Sequence, residues 1–296
     1  MALTTTTGAN AIREAYAVGF DEAVFRNDAL MSLFSWQDAV GDTAFRWKLN
    51  SAGQSPEVFT EGQAQPAAGN QTWVNAAVSW TYFRVMLQAT GHARDALRSA
   101  WLPAIDEEAV LGRADLIDLI TTSFMGSTYG LELAVDYGSS YAGVTRSGSA
   151  GYFESTETDH SAALTTDALI DLQETIRNAD KGGSPSIILC NLNQESNVYR
   201  LGGPHLITNQ NPSDKTPGLL SNRIAGCDVV ALPDFNTTVC MMLDVRPSNW
   251  APRVIRPFSV KEMAPVGDSD LYQLSWGGAL VCKMPKFQGK LTAVTA

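Results

Sequence analysis

The stretch from Ala104 to Asp136 constrains the fold most, because it holds no proline and carries one long apolar stripe. Val110, Ala114, Ile117, Thr121, Phe124, Thr128, Leu131 and Val135 recur at spacings of three and four, which puts them on one face of a helix. Leu116, Leu119, Ile120 and Leu133 widen the stripe. Pro103 precedes it, and Asp106, Glu107 and Glu108 place negative charge in the first turn, as a helix dipole favours. A continuous helix here would be about 50 Å long, longer than most helices of globular domains. Gly112, Gly126 and Gly130 each cost about 1 kcal/mol relative to alanine, but they let a neighbour approach closely. The stretch reads as a structural spine. The alternative is two shorter core helices broken near Gly126.

Ahead of the spine the pattern changes to strands. Phe45, Trp47 and Leu49 alternate with Arg46, Lys48 and Asn50, and alternation resumes with Val74, Ala76, Val78, Trp80 and Tyr82 before merging into the apolar run Tyr82–Leu87. Between them, Ser51 to Gln71 is rich in Gly, Gln, Pro, Ala and Ser and reads as a loop tip. The expectation is a long hairpin carrying Phe45, Trp47, Trp73 and Trp80. An isolated ribbon is marginal in water, so these rings need a surface to bury against, and a neighbouring subunit is the natural one. The alternative is a hairpin folded onto its own domain. Residues 1–40 have patchy helical periodicity and little core of their own, as an arm would, and His92–Trp101 reads as a short helix.

After the spine, Gly138 to Gly151 is rich in Gly, Ser and Tyr and reads as a linker. Thr165 or Thr166 caps a helix with Ala168, Leu172, Ile176 and Ala179 on one face. Ser186–Cys190, Cys227–Leu232, Val239–Val245, Arg253–Ala264 and Leu271–Cys282 read as strands, Gln194–Leu201 as a helix, and Gly202–Gly218 as a polar loop. Helices and strands mix without a repeating βαβ unit, which makes the fold class α+β.

Composition removes several functions. The formal charge of −10 argues against a protein that grips nucleic acid through basic patches. No apolar run has membrane-spanning length, and Met1–Asn10 does not read as a secretory signal. Cys190, Cys227, Cys240 and Cys282 form no C-x-x-C pair and read as buried reduced thiols. No nucleotide-binding glycine loop, H-E-x-x-H or G-x-S-x-G motif occurs. His160 with Glu157 and Asp159 is the best local cluster for a metal, and solvated loop residues explain it better. Asp268 and Asp270 are explained by a turn. No catalytic, cofactor-binding or metal-binding residue is assigned.

The order of elements carries a resemblance. An arm, a long hairpin, a long helix, a mixed domain and closing strands resemble the Hong Kong 97-type major capsid proteins of tailed phages. The closing run Leu271-Tyr272-Gln273-Leu274-Ser275-Trp276-Gly277-Gly278-Ala279-Leu280-Val281, followed by Pro285 and Leu291–Val294, is similar to the final strands of that family. The helix Thr165–Ala179 with Ser186–Asn191 resembles the start of its axial domain. The resemblance implies an arm at 1–40, an extended loop at 41–88, a peripheral domain at 89–140 and 251–296, and an axial domain at 141–250.

It further implies self-assembly into hexamers and pentamers of an icosahedral shell that encloses double-stranded DNA without tight binding. Phe45, Trp47, Trp73 and Trp80 would be intersubunit contacts of the extended loop. The partners implied are other copies of the chain, a separate scaffolding protein, a portal and in some members a decoration protein. The place implied is the virion, assembled in the host cytoplasm, with no membrane and no cofactor. The tip Ser51–Thr72 has no lysine, so no covalent crosslink is expected from it. An encapsulin-like compartment around protein cargo shares this fold and stands as the first rival. An enzyme of another α+β family is the second, and a decoration or tail-tube subunit the third.

Overall fold

The structure, a computed structural model, describes residues 29–39, 41–52, 72–90, 101–128, 130–146, 151–179, 182–201, 223–224, 226–265 and 267–295. The expected helix at His92–Trp101 and loop at Gly202–Gly218 lie almost wholly outside these residues, as do most of the arm and the ribbon tip.

Three bodies of secondary structure share one chain. The first is a four-stranded sheet in the order β1 (Gln37–Asp38), β10 (Arg253–Met263), β11 (Ser269–Ala279) and β4 (Thr81–Thr90). The second is a six-stranded sheet in the order β5 (Thr156–Asp159), β12 (Gly289–Thr292), β9 (Cys240–Leu243), β6 (Ile187–Cys190), β8 (Cys227–Ala231) and β7 (Arg223–Ile224). The third is a two-stranded ribbon of β2 (Ala44–Ala52) and β3 (Thr72–Ser79). The class is α+β, as the sequence indicates.

The spine is shorter than expected. After the single turn α1 (Ala29–Ser32), helix α2 runs from Trp101 to Met125, and a separate turn, α3, covers Leu131–Ala134. The break near Gly126 is therefore real, and the continuous reading is corrected. Its cause is steric: a Cβ on Gly130 would stand 2.1 Å from the Phe124 carbonyl oxygen, so the chain folds back on the end of α2 more closely than any side chain permits. Pro103 lies inside the first turn, where its missing N–H costs no intrahelical bond.

The buried stripe is also rotated from the expected one. Ala109, Gly112, Leu116, Ile120 and Phe124 face inward, whereas Val110, Ala114 and Leu119 are exposed. Gly112 sets this orientation, because a Cβ there would meet Leu87 Cδ2 at 2.6 Å. Phe124, wholly buried, is the hub, with Phe83, Trp36 and Trp276 at ring-centroid distances of 5.7, 5.8 and 6.0 Å. Phe83 comes from β4, Trp276 from β11 and Trp36 from the segment just before β1, so the cluster ties α2 to both outer parts of the first sheet.

The six-stranded sheet is covered on both faces. Ile188, Cys190, Cys240, Met242 and Leu291 pack under helix α4 (Thr166–Asn178), while Leu189, Met241 and Leu243 join the larger core around Phe124. Thr165 caps α4 by accepting a hydrogen bond from the Ala168 N–H at 3.2 Å. Helix α5 (Leu192–Leu201) leads from β6 towards its parallel neighbour β8. All four cysteines are buried and free. Strand β12, near the C-terminus, pairs with β9 and β5 and so belongs to this second sheet.

Candidate subunit interface

The ribbon is the part of the chain best placed to reach beyond it. Its register pairs Phe45 with Val78, Trp47 with Ala76 and Leu49 with Val74 on one face. Arg46 with Ala77, Lys48 with Asn75 and Asn50 with Trp73 form the other. Directly paired residues share a face and neighbours alternate, so Trp73 stands opposite to Phe45 and Trp47. The four aromatics do not make one face.

The first face is covered by the subunit itself. Leu49 and Ala76 are buried, and the Trp47 ring packs 6.3 Å from Phe153, which stacks on Tyr141 at 5.9 Å. Phe45 lies 5.7 Å from Trp47 and under the Arg253 guanidinium at 5.6 Å. The Ala77 N–H donates to the Ala142 carbonyl at 2.9 Å. Trp80 sits between β3 and β4 and donates from Nε1 to the Asp42 carbonyl at 2.7 Å. The expectation that the aromatic face lacks a partner in its own subunit is thus corrected for Phe45, Trp47 and Trp80. Trp73, by contrast, is 55% exposed.

Strand β4 also departs from the hairpin reading. The ribbon ends at Ser79, and Thr81–Thr90 pairs along its whole length with Ser269–Ala279 of β11. The alternation Val74 to Tyr82 hides this, because Trp80 changes sheets without breaking the period.

The support under the ribbon comes from the segment read as a linker. Arg146 is wholly buried there. It donates to the Leu133, Ala134 and Ser139 carbonyls at 2.6, 2.9 and 2.7 Å, satisfying the end of α3, and its guanidinium covers the Tyr141 ring at 5.4 Å. Burial lowers the affinity of Arg146 for its proton, and nearby Asp136 opposes that. The Tyr141 hydroxyl accepts from the Cys282 N–H at 2.8 Å, and burial pushes its pKa far up. Glycine and serine disguised this segment, yet the sequence held a signal: Arg146 is the only charged residue between Gly138 and Phe153.

A second junction ties the segment after α3 to the six-stranded sheet. Lys290 on β12 reaches Asp136 Oδ1 at 2.5 Å and Glu157 Oε2 at 3.3 Å, and Glu157 also accepts from the Tyr137 N–H. Burial alone would raise the Asp136 carboxyl, but hydrogen bonds from Lys290 and Ser139 outweigh it and hold it well below the usual carboxylate range. Of the acidic cluster considered for a metal, Asp159 accepts from Ser161 Oγ and His160 bonds the Ala163 carbonyl. Among the described residues no three His, Cys, Asp or Glu side chains gather as a metal site.

Comparison with known proteins follows this architecture. The profile of the SU10 major capsid protein family matches residues 60–295. The capsid of cyanophage A-1(L) superposes with a TM-score of 0.67 and 17% identity, over 90% of this chain and 91% of that one. The SrpI encapsulin of Synechococcus elongatus gives 0.65 and 14%, over 90% and 86%. A chain of Mycobacterium phage Cain gives 0.58 and 15%, over the full length of both. No curated protein matches. The encapsulin reading is the less supported of the two shell readings, since the family profile is that of a capsid protein. The chain belongs to the SU10 major capsid protein family and is a shell-forming, structural subunit with the Hong Kong 97-type fold.

Proposed function

We propose that the chain builds hexamers and pentamers of an icosahedral shell around double-stranded DNA, with each ribbon lying over a neighbouring subunit through Trp73. The observation that carries this is the two-sidedness of the ribbon. Its inner face is anchored by Phe45 and Trp47, the Ala77 N–H and Trp80 tie its root to the subunit, and Trp73 stands about 10 Å beyond Trp47, exposed, beside Asn50. A large exposed aromatic on the outer part of the described ribbon is a contact waiting for a partner.

Residues 1–40 serve as the arm, and 141–250 as the axial domain. The extended loop reads best as 41–80, since β4 pairs inside the four-stranded sheet. The peripheral domain then takes up β4, α2, α3 and strands β10 and β11, while β12 completes the six-stranded sheet of the axial part. Assembly takes place in the host cytoplasm with a separate scaffolding protein and a portal, and decoration proteins bind the finished shell. Purified particles test the contents: nuclease-protected DNA of phage length supports this reading, and a single bound protein cargo without nucleic acid replaces it with the encapsulin one.

A further inference from the structure

The outward face of the β10–β11–β4 sheet collects cations that are scattered in the sequence. Strand register builds it in rows: Arg256, Gly277 and Tyr82; then Ser259, Ser275 and Arg84; then Lys261, Gln273 and Met86; then Met263, Leu271 and Gln88. Helix α2 packs on the opposite face, through Phe83, Leu87, Leu274 and Trp276. Tyr82 and Met86 are 58% and 46% exposed, and Arg84, Arg256 and Lys261 are exposed with them. Among the described residues, none of these three cations meets a carboxylate at salt-bridge distance.

Among the described residues, no acid falls in these rows. Asp270 and Glu262 have the other parity and act on Tyr272, whose phenol is raised first by burial and then by these two carboxylates. In a chain of net charge −10, a sheet face with three cations and no anion is a marked local reversal. The spine helix shows the opposite sign on the far side of the same layer, where Asp115 and Asp118 are exposed between Leu111 and Leu119.

We propose that this sheet face is a phosphate-contacting surface turned towards the enclosed nucleic acid. Strand spacing puts the three cations on a triangle about 12 Å on a side, which spans roughly seven phosphate charges along a duplex axis. Gln273 and the Tyr82 hydroxyl add uncharged donors of the kind that join Arg and Lys on a phosphate backbone, and the Arg256 guanidinium lies 5.6 Å over the Tyr82 ring. Three contacts per subunit make a weak, sequence-independent hold that sums over the many copies of a shell. No basic run betrays it, since Arg84 comes from one strand and Arg256 and Lys261 from another, joined through a third.

This inference rests on the shell reading, and the test separates the two. Binding of the purified protein to a fluorescent 20-base-pair duplex is measured between 20 and 80 mM salt, for the natural chain and for the R84Q/R256Q/K261Q variant, with electron microscopy of both. The natural chain should lose about forty-fold in affinity across that range, the slope of three phosphate contacts. The variant should lose the salt-dependent part and still form shells. Equal salt slopes in the two proteins would overturn the inference, as would a folded variant that no longer assembles, which would make the face a subunit interface. Absence of shells from both proteins would instead contradict the assembly reading and leave the slopes to judge the surface.

Discussion

Trp47 and Trp73 lie on opposite faces of the same two-stranded ribbon, one packed against Phe153 and the other 55% exposed. Two tryptophans that look alike in sequence thus answer to different partners, and substitution separates them.

Trp73→Ser should leave the subunit folded and impair assembly. The side chain holds little of the subunit core, while a buried interface aromatic is worth about 2 kcal/mol or more per contact. Far-UV circular dichroism should be unchanged, and sedimentation should shift from shells towards capsomers. Normal shells of normal stability would show that Trp73 is not a contact.

Trp47→Ser should act on the subunit instead. It removes the ring that bridges Phe45 and Phe153 and leaves space under β2, at about 2–3 kcal/mol. Phe124→Ser should be worse, about 4 kcal/mol or more, since it opens the four-ring cluster and buries a hydroxyl. Urea unfolding checks the order: Phe124→Ser least stable, then Trp47→Ser, then Trp73→Ser near the natural chain.

The Asp136–Lys290 pair gives stability a defined pH dependence. Because the folded carboxyl lies below its unfolded value, its contribution is complete above about pH 4 and is lost as pH falls through the folded value. Asp136→Asn should therefore cost about 2 kcal/mol at pH 7. The gap between variant and natural chain should stay constant from pH 5 to 8 and narrow in stronger acid. A gap that widens on acidification would reverse the sign of this linkage.

Assembled protein should run on a denaturing gel as one band near 31.8 kDa. No lysine lies in the ribbon tip, and Lys48 sits on the paired strand beside Asn75. A ladder that survives heat and reductant would show that a lysine reacts after all.

Long periodic elements were legible from sequence, and junctions were not. The alternation of β2, the capped helix at Thr165 and the closing strands at Arg253 and Leu271 express local periods that tertiary packing preserves. The break at Gly126 was legible only as a choice, because a glycine in a helix is compatible with close packing and with a turn alike. The rotation of the spine depends on Leu87 meeting Gly112, a contact between residues 25 apart. The support under the ribbon was missed because Arg146 is satisfied by backbone carbonyls, which leave no trace in side-chain patterning. The opposite facing of Trp73 is legible in the alternation, since its parity opposes that of Val74 and Trp80.

Sedimentation velocity of the purified chain at high concentration tests the central claim of shell assembly most directly. Capsomers and closed shells predict species many times heavier than the 31.8 kDa chain. A stable, well-folded monomer that persists as the concentration rises would contradict it.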